Sequence, residues 1–183
     1  MDLDLAYGGM DQRHAHMLYR DVAPKLGWKR GVALHTPLLP GLEGGGRMDP
    51  VAGKMSKSKP DSSILINDPP AEVERKIGKA FCPPKATEGN PVLEIAHLIL
   101  FPRSGSFAVA RDARFGGDVR FASFRELADA YGRGELHPKD LKAGVAAGQD
   151  LNTVYKATLA QLRPTYGHWV IFNHCMPFDV SRA

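Results

Sequence analysis

The chain has 183 residues, of which 43% are apolar, and a net charge of +4. That composition can build a hydrophobic core and excludes a disordered chain, and the length suits one domain or two small ones. The charge is mild and has no basic tail, so any contact with nucleic acid must come from local patches.

Residues 3–7 read as a short strand that Gly8 and Gly9 break. From Asp11 to about Leu26 the pattern is helical, with Met10, Ala15, Leu18, Val22 and Leu26 recurring at three to five residues. Pro24 bends or ends that helix. Val32 to His35 reads as a buried strand, closed by Pro37. Strand, helix and strand in that order make a piece of an open α/β sheet.

Residues 40–63 form a long irregular segment with glycines at 41, 44, 45, 46 and 53. Its last part, GKMSKSKPDSS, sets Lys54, Lys57 and Lys59 among serines, with no carboxylate before Asp61. Lysine is a point charge on a flexible stem, and hydroxyls and glycine-flanked N–H groups donate well to oxyanions. The stretch therefore suits a polyphosphate. It is not a P-loop, because no G-x-x-x-x-G-K-[ST] is present.

After Asp68-Pro69-Pro70 the character changes. Helices are expected in AEVERKIGKAF and in VLEIAHLILF (92–101), followed by short β-like pieces around FAVA (107–110) and VRFAS (119–123). Ser123 with Glu126 reads as a capping box that opens a helix to about Tyr131. Pro138 opens a further helix, with Asp140 in its first turn, where a carboxylate suits the dipole. The stretch after Pro164 is apolar and shows no clear helical or strand closure.

Two cysteines, Cys82 and Cys175, lie far apart and form no Cys-x-x-Cys, which fits a reducing, cytoplasmic setting. His14 and His16, and the adjacent His174 and Cys175, lack zinc-ligand spacing, so no metal site is expected from them. No apolar run is long enough to span a bilayer, and the N-terminus does not read as a signal peptide.

KMSKS, residues 54–58, resembles the signature loop of class I aminoacyl-tRNA synthetases. Its surroundings extend the resemblance: YGGMDQRHAHML (7–18), HTPLLPGLEG (35–44), KMSKSKPDSSI (54–64), AFCPPKATEGNPVLEIA (80–96), FGGD (115–118) and ELHPKDLK (135–142). In this order, over roughly residues 3–145, they resemble tyrosyl-tRNA synthetases of the archaeal and eukaryotic type. GGMDQR and ELHPKDLK look like the tyrosyl rather than the tryptophanyl branch.

The resemblance implies an α/β fold: the C-terminal part of a Rossmann-like class I catalytic domain over residues 1–70, then a mostly α-helical anticodon-binding domain over 71–164. Residues 165–183 are left as a tail that matches nothing in the family. It gives Lys54, Ser56, Lys57 and Ser58 a catalytic role toward the ATP phosphates, with Lys57 foremost. ATP would also meet Gly8, Gly9, Asp11, Leu38 and Leu39, and Gln12 would contact tyrosine. In the second part Phe115 matches an aromatic that stacks on the first anticodon base. Asp140 matches a carboxylate that binds that guanine, with His137 and Pro138 beside it. Read without the resemblance, Phe115 would be a core residue and Asp140 a helix-start charge.

ATP with Mg2+, tyrosine and the tyrosine tRNA are the implied substrates and partners, in the cytoplasm and away from membranes. The family is typically a homodimer. No His-x-Gly-His motif occurs in the 183 residues, so the chain reads as the C-terminal half of such an enzyme. Alone, it is expected to show no tyrosine-dependent ATP–pyrophosphate exchange. The alternatives are a stand-alone tRNA-binding module, or half of a split enzyme completed by an N-terminal half.

Overall fold

Leu5–Gly9 forms β1 and Val32–Thr36 forms β2, paired in parallel from Leu5 against Val32 to Gly9 against Thr36. A parallel pair needs a crossover. Here it is α1, Arg13–Val22, entered through a 3₁₀ turn at Met10–Gln12 and prolonged by another at Ala23–Leu26. Pro24 sits in that second turn. Gly27, at φ 68°, ends it, and the Trp28 N–H closes back on the Ala23 carbonyl at 2.8 Å. The computed structural model describes residues 3–44, 60–65 and 68–148, and the backbone of 169–172 and 176–179. The chain divides into two compact units, Met1–Leu38 and Leu39–Ala183.

Two expectations for the first unit need correcting. Gly8 and Gly9 do not break β1; they continue it, paired with His35 and Thr36. Nor is β2 buried: Val32 is 61% and Leu34 52% exposed. The pleat explains this. Ala6, Gly8, Ala33 and His35 are the better-covered alternates, and His35 Nε2 lies 3.1 Å from His16 Nδ1 of α1. The other alternates, Leu5, Tyr7, Val32 and Leu34, are exposed.

The second unit holds the core. α2 is Pro70–Lys79, α3 is Pro91–Ile95 and α4 is Phe101–Ser104. Phe107–Val109 (β3) and Val119–Phe121 (β4) form an antiparallel pair. α5 is Phe124–Arg133 and α6 is Pro138–Gly148. Each longer helix buries a pair four residues apart: Val73 and Ile77, Leu127 and Tyr131, Leu141 and Val145. These join Val92, Leu93, Ile95, Phe107, Val109 and Phe121 in one cluster. Gly144 lets α6 approach β3, since a Cβ there would stand 3.0 Å from Val109 Cγ2 and 3.1 Å from Phe107 Cζ.

Prolines and caps set the helix ends. Asn90 Oδ1 accepts from the Val92 and Leu93 N–H groups at the start of α3. Between α3 and α4 the helix makes one π turn, Ala96–Leu100, with the Phe101 N–H donating to the Ala96 carbonyl. Pro102 follows directly. Its ring would clash with the carbonyl four residues back, and the widened turn accommodates it. The expected capping box is present in altered form. Ser123 Oγ accepts from the Glu126 N–H at 3.3 Å, but Glu126 Oε2 takes the Ala122 N–H, one residue before the cap.

The buried polar side chains described in this unit are partnered. The Tyr131 hydroxyl donates to the Pro83 carbonyl at 2.8 Å and lies 3.2 Å from Cys82 Sγ; burial pushes its pKa well above the ordinary tyrosine value. Lys76 is 3% exposed, and its ammonium donates to Asp68 Oδ2 at 2.7 Å and to the Ser63 carbonyl at 3.0 Å. Asp68 Oδ2 also accepts the Leu65 N–H. In the tail, expected to lack strand closure, the backbone forms an antiparallel pair, β5 (Trp169–Phe172) with β6 (Met176–Asp179).

Candidate functional site

Two groups of sequence-derived candidates come into view, one in each unit. In the first, the end of β1 and the turn into α1 bring Gly9, Asp11 and Leu38 together. A Cβ on Gly9 would stand 2.7 Å from Asp11 Oδ1 and 2.8 Å from Leu38 Cδ2. Gly9 has ordinary extended dihedrals, φ −71° and ψ 164°, so space rather than backbone freedom calls for glycine here. Gly8 is buried in β1 opposite His35. Gln12 is half-buried at the N-terminal end of α1 and makes no capping bond with its side chain. This is the carboxyl end of a parallel strand pair, where open α/β sheets bind ligands.

Leu39 falls in the second unit, partly buried against its core. Lys54, Ser56, Lys57 and Ser58 lie outside the described residues. The stems on either side of that segment are described. The Leu42 N–H donates to the Ser62 carbonyl at 2.9 Å, and the Phe81 N–H to the Leu42 carbonyl at 2.7 Å. Gly44, at φ 73°, is closed to other residues, because a Cβ would meet Phe81 Cδ1 at 2.5 Å. Asp61 pairs with Arg75 at 2.5 Å, and that hydrogen bond and charge hold its carboxyl below the usual range.

The second group lies between β3 and β4 and at the start of α6. Asp112 caps the short turn Ala113–Phe115: its Oδ1 accepts the Arg114 N–H at 2.9 Å, and its Oδ2 takes Nε and Nη2 of the same arginine. The Arg114 N–H and then the guanidinium hold the Asp112 carboxyl below its ordinary value. The Arg114 guanidinium lies 5.6 Å from the centre of the Phe115 ring, within cation–π range. Gly116 and Gly117, at φ 95° and 70°, return the chain to β4. Phe115 is 65% exposed, so it is no core residue.

At the start of α6, His137 Nδ1 accepts the Lys139 N–H at 3.1 Å, which leaves Nε2 to carry the proton of the neutral ring. Asp140 is half-buried in the first turn, its N–H bonded to the His137 carbonyl. One residue that the sequence reading passed over joins the two segments. Arg111 donates its N–H to Asp118 Oδ1, its Nε to the Gly117 carbonyl and its Nη1 to the Glu135 carbonyl, each at 3.0 Å. The first two bonds close the Phe115 turn, and the third ties it to the residues just before His137. The one sequence signal was an arginine immediately before an Asp-initiated, Gly-Gly-terminated turn.

Among the described residues no group of three His, Cys, Asp or Glu side chains is placed to hold a metal ion. Nor is any helix among them long and apolar enough to cross a membrane.

A family profile describing tRNA synthetases class I (W and Y) matches residues 1–153. The chain is 53% identical over 156 residues to the tyrosine–tRNA ligase of Aeropyrum pernix, covering 80% of this chain and 43% of that protein. Its structure is similar to that of the Archaeoglobus fulgidus tyrosyl-tRNA synthetase complexed with L-tyrosine: TM-score 0.72, 49% identity, 87% of this chain and 46% of the other. The Pyrococcus horikoshii tyrosyl-tRNA synthetase complexed with L-tyrosine gives a TM-score of 0.75 at 37% identity, covering 88% of this chain and 49% of the other. The chain thus spans less than half the length of each of these relatives. Together the matches place it among the class I tRNA synthetases for tryptophan and tyrosine, and within that family on the archaeal-type tyrosyl branch.

Proposed function

We propose that this chain carries two working surfaces of a tyrosine–tRNA ligase. One is the ribose and phosphate side of the tyrosine-activating site; the other reads the first anticodon base of the tyrosine tRNA. The functional division falls near residue 70, between the C-terminal part of a Rossmann-like catalytic domain and a mostly helical anticodon-binding domain ending near residue 164. In the reaction, the tyrosine carboxylate attacks the α-phosphate of ATP and pyrophosphate leaves. A hydroxyl at the 3′ end of the tRNA then attacks the carbonyl of the tyrosyl adenylate, forming the ester and releasing AMP.

Gly8 and Gly9 let the ATP sugar approach the β1 backbone, Asp11 accepts from ribose hydroxyls, and Leu38 and Leu39 flank the adenine. Gln12 faces the tyrosine ammonium. Lys54 and Lys57, with Ser56 and Ser58, stabilise the charge that develops on the leaving pyrophosphate. Mg2+ would enter with ATP and neutralise part of the phosphate charge. The 183 residues contain no His-x-Gly-His, so activation would need that motif from outside them, in a complementing half. A second copy in a homodimer is the other protein partner proposed, and the setting is cytoplasmic.

The observation that carries the reading is the exposed Phe115 ring on a turn that Arg111 ties to the segment bearing His137, Pro138 and Asp140. An aromatic face stacks on any base, whereas a carboxylate near it can take the two N–H donors of a guanine edge. Asp140→Asn removes the charge and turns one acceptor into a donor. Its expected effect is to abolish the preference for guanine at the first anticodon position, weakening that tRNA about tenfold or more and the adenine-bearing tRNA little. Electrophoretic or anisotropy titration of both tRNAs reads this directly; a preference unchanged in the variant would remove Asp140 from the site.

A further inference from the structure

Stacking and edge recognition of one base make different demands. Stacking alone is sequence-tolerant, because every base has a π-face. Discrimination comes from hydrogen bonds to the base edge. For a single base to meet both, the ring that stacks and the carboxylate that reads must be held at a fixed spacing. Phe115 lies in the β3–β4 connection and Asp140 in α6, so the local structure of neither segment sets that spacing.

α6 packs on β3 at Gly144, and beside the turn itself Arg111 bonds both segments. Its Nε bond to Gly117 and its Nη1 bond to Glu135 leave one rigid, planar guanidinium. A guanidinium fixes direction as well as distance, which a lysine ammonium does not. The fork also lies close against the turn, since a Cβ on Gly116 would stand 3.5 Å from Arg111 Nη2. The Glu135 carboxylate is taken by Arg133, at 2.6 and 2.9 Å, so Arg111 binds the backbone of Glu135 while another arginine binds its side chain. The residue receiving the Arg111 bond is itself held by its backbone, whose N–H donates to the Ala130 carbonyl at 3.0 Å.

We propose that Arg111 is a positioning residue for base discrimination: it sets the spacing between Phe115 and Asp140 without itself touching the base. The inference rests on the anticodon reading above. It separates Arg111 from an ordinary phosphate-binding arginine, which would add affinity for every sequence alike.

The test uses the full 183-residue chain and two anticodon stem-loops that differ only in the first anticodon base, guanine or adenine. Arg111→Ala is expected to reduce the preference for guanine about tenfold, mainly by weakening the guanine stem-loop. Arg111→Lys keeps the charge and loses the fork; it is expected to lose the preference nearly as fully. The lysine variant also decides the matter should the alanine variant fold poorly. Equal weakening of both stem-loops by Arg111→Ala, with a salt slope reduced by about one, would mean a phosphate contact and overturn the proposal. So would full retention of the preference in Arg111→Lys. Phe115→Ala in the same assay tells the two levels apart. If it leaves both stem-loops unaffected, the anticodon reading fails and the inference with it. If it weakens both while Arg111→Ala changes nothing, only the role of Arg111 is wrong.

Discussion

Lys76→Met is expected to destabilise the second unit by about 3–5 kcal/mol, the range for removing one partner of a buried ion pair. Lys76 is 3% exposed, and the Asp68 side chain facing it 10%. The substitution keeps most of the apolar stem and deletes the ammonium. The buried Asp68 carboxyl then loses its counter-ion, and the Ser63 carbonyl loses the donor 3.0 Å away. At about 2–4 °C per kcal/mol for a unit of this size, Tm should fall by at least about 6 °C. Asp68→Asn added to Lys76→Met should recover much of the loss, because a neutral amide still accepts the Leu65 N–H that Asp68 Oδ2 accepts now. Urea unfolding followed by circular dichroism measures both. A single-variant loss below about 1 kcal/mol, the size of a solvent-exposed pair, would mean that Lys76 is not buried in solution.

Phe115→Ala should have the opposite profile. The ring is 65% exposed and lies outside the core, so stability should change by no more than about 0.5 kcal/mol, as for other surface substitutions. Binding of the tyrosine tRNA should weaken by about 1–3 kcal/mol, the cost of losing one base–aromatic stack. The midpoint of that range is more than tenfold in affinity. The loss should be similar whichever base stands first, since stacking does not read edges. That uniformity separates Phe115 from Asp140 and Arg111, whose substitutions should act on the preference. A Phe115→Ala chain that binds tRNA normally would show that the exposed ring is an ordinary surface aromatic.

Much of the second unit was legible in the chain. Pro70 and Pro138 open helices, Ser123 caps one, and apolar pairs four apart give each helix its buried face. The signals that failed were local ones overridden by pairing. Gly8 and Gly9 carry the usual marks of a break, yet β2 gives them partners. The π turn before Pro102 answers a clash within the helix that hydrophobic spacing does not record. Lys76 and Lys79 look alike in AEVERKIGKAF, yet only Lys76 faces inward, toward Asp68.

The candidate sites were legible unevenly. The charge pattern of the KMSKS segment suggests phosphate without any family knowledge, but that segment lies outside the described residues. Local chemistry alone would place Phe115 in the core, which its exposure contradicts, and make Asp140 a first-turn charge, which it is; neither reading points to a base. Arg111 left almost no trace, because its decisive partner is the backbone carbonyl of Glu135, which no side-chain pattern marks. Gly9 and Leu38 are expected beside one nucleotide, and in the fold a Cβ on Gly9 would overlap both Leu38 and Asp11.

The measurement closest to the central claim is the affinity of the unmodified chain for two tyrosine tRNAs that differ only in the first anticodon base. The account predicts that the guanine-bearing tRNA binds about tenfold or more tightly than the adenine-bearing one, as one well-made edge contact requires. Equal affinity for the two would contradict it, and would reduce Arg111 and Asp140 to parts of a folded surface.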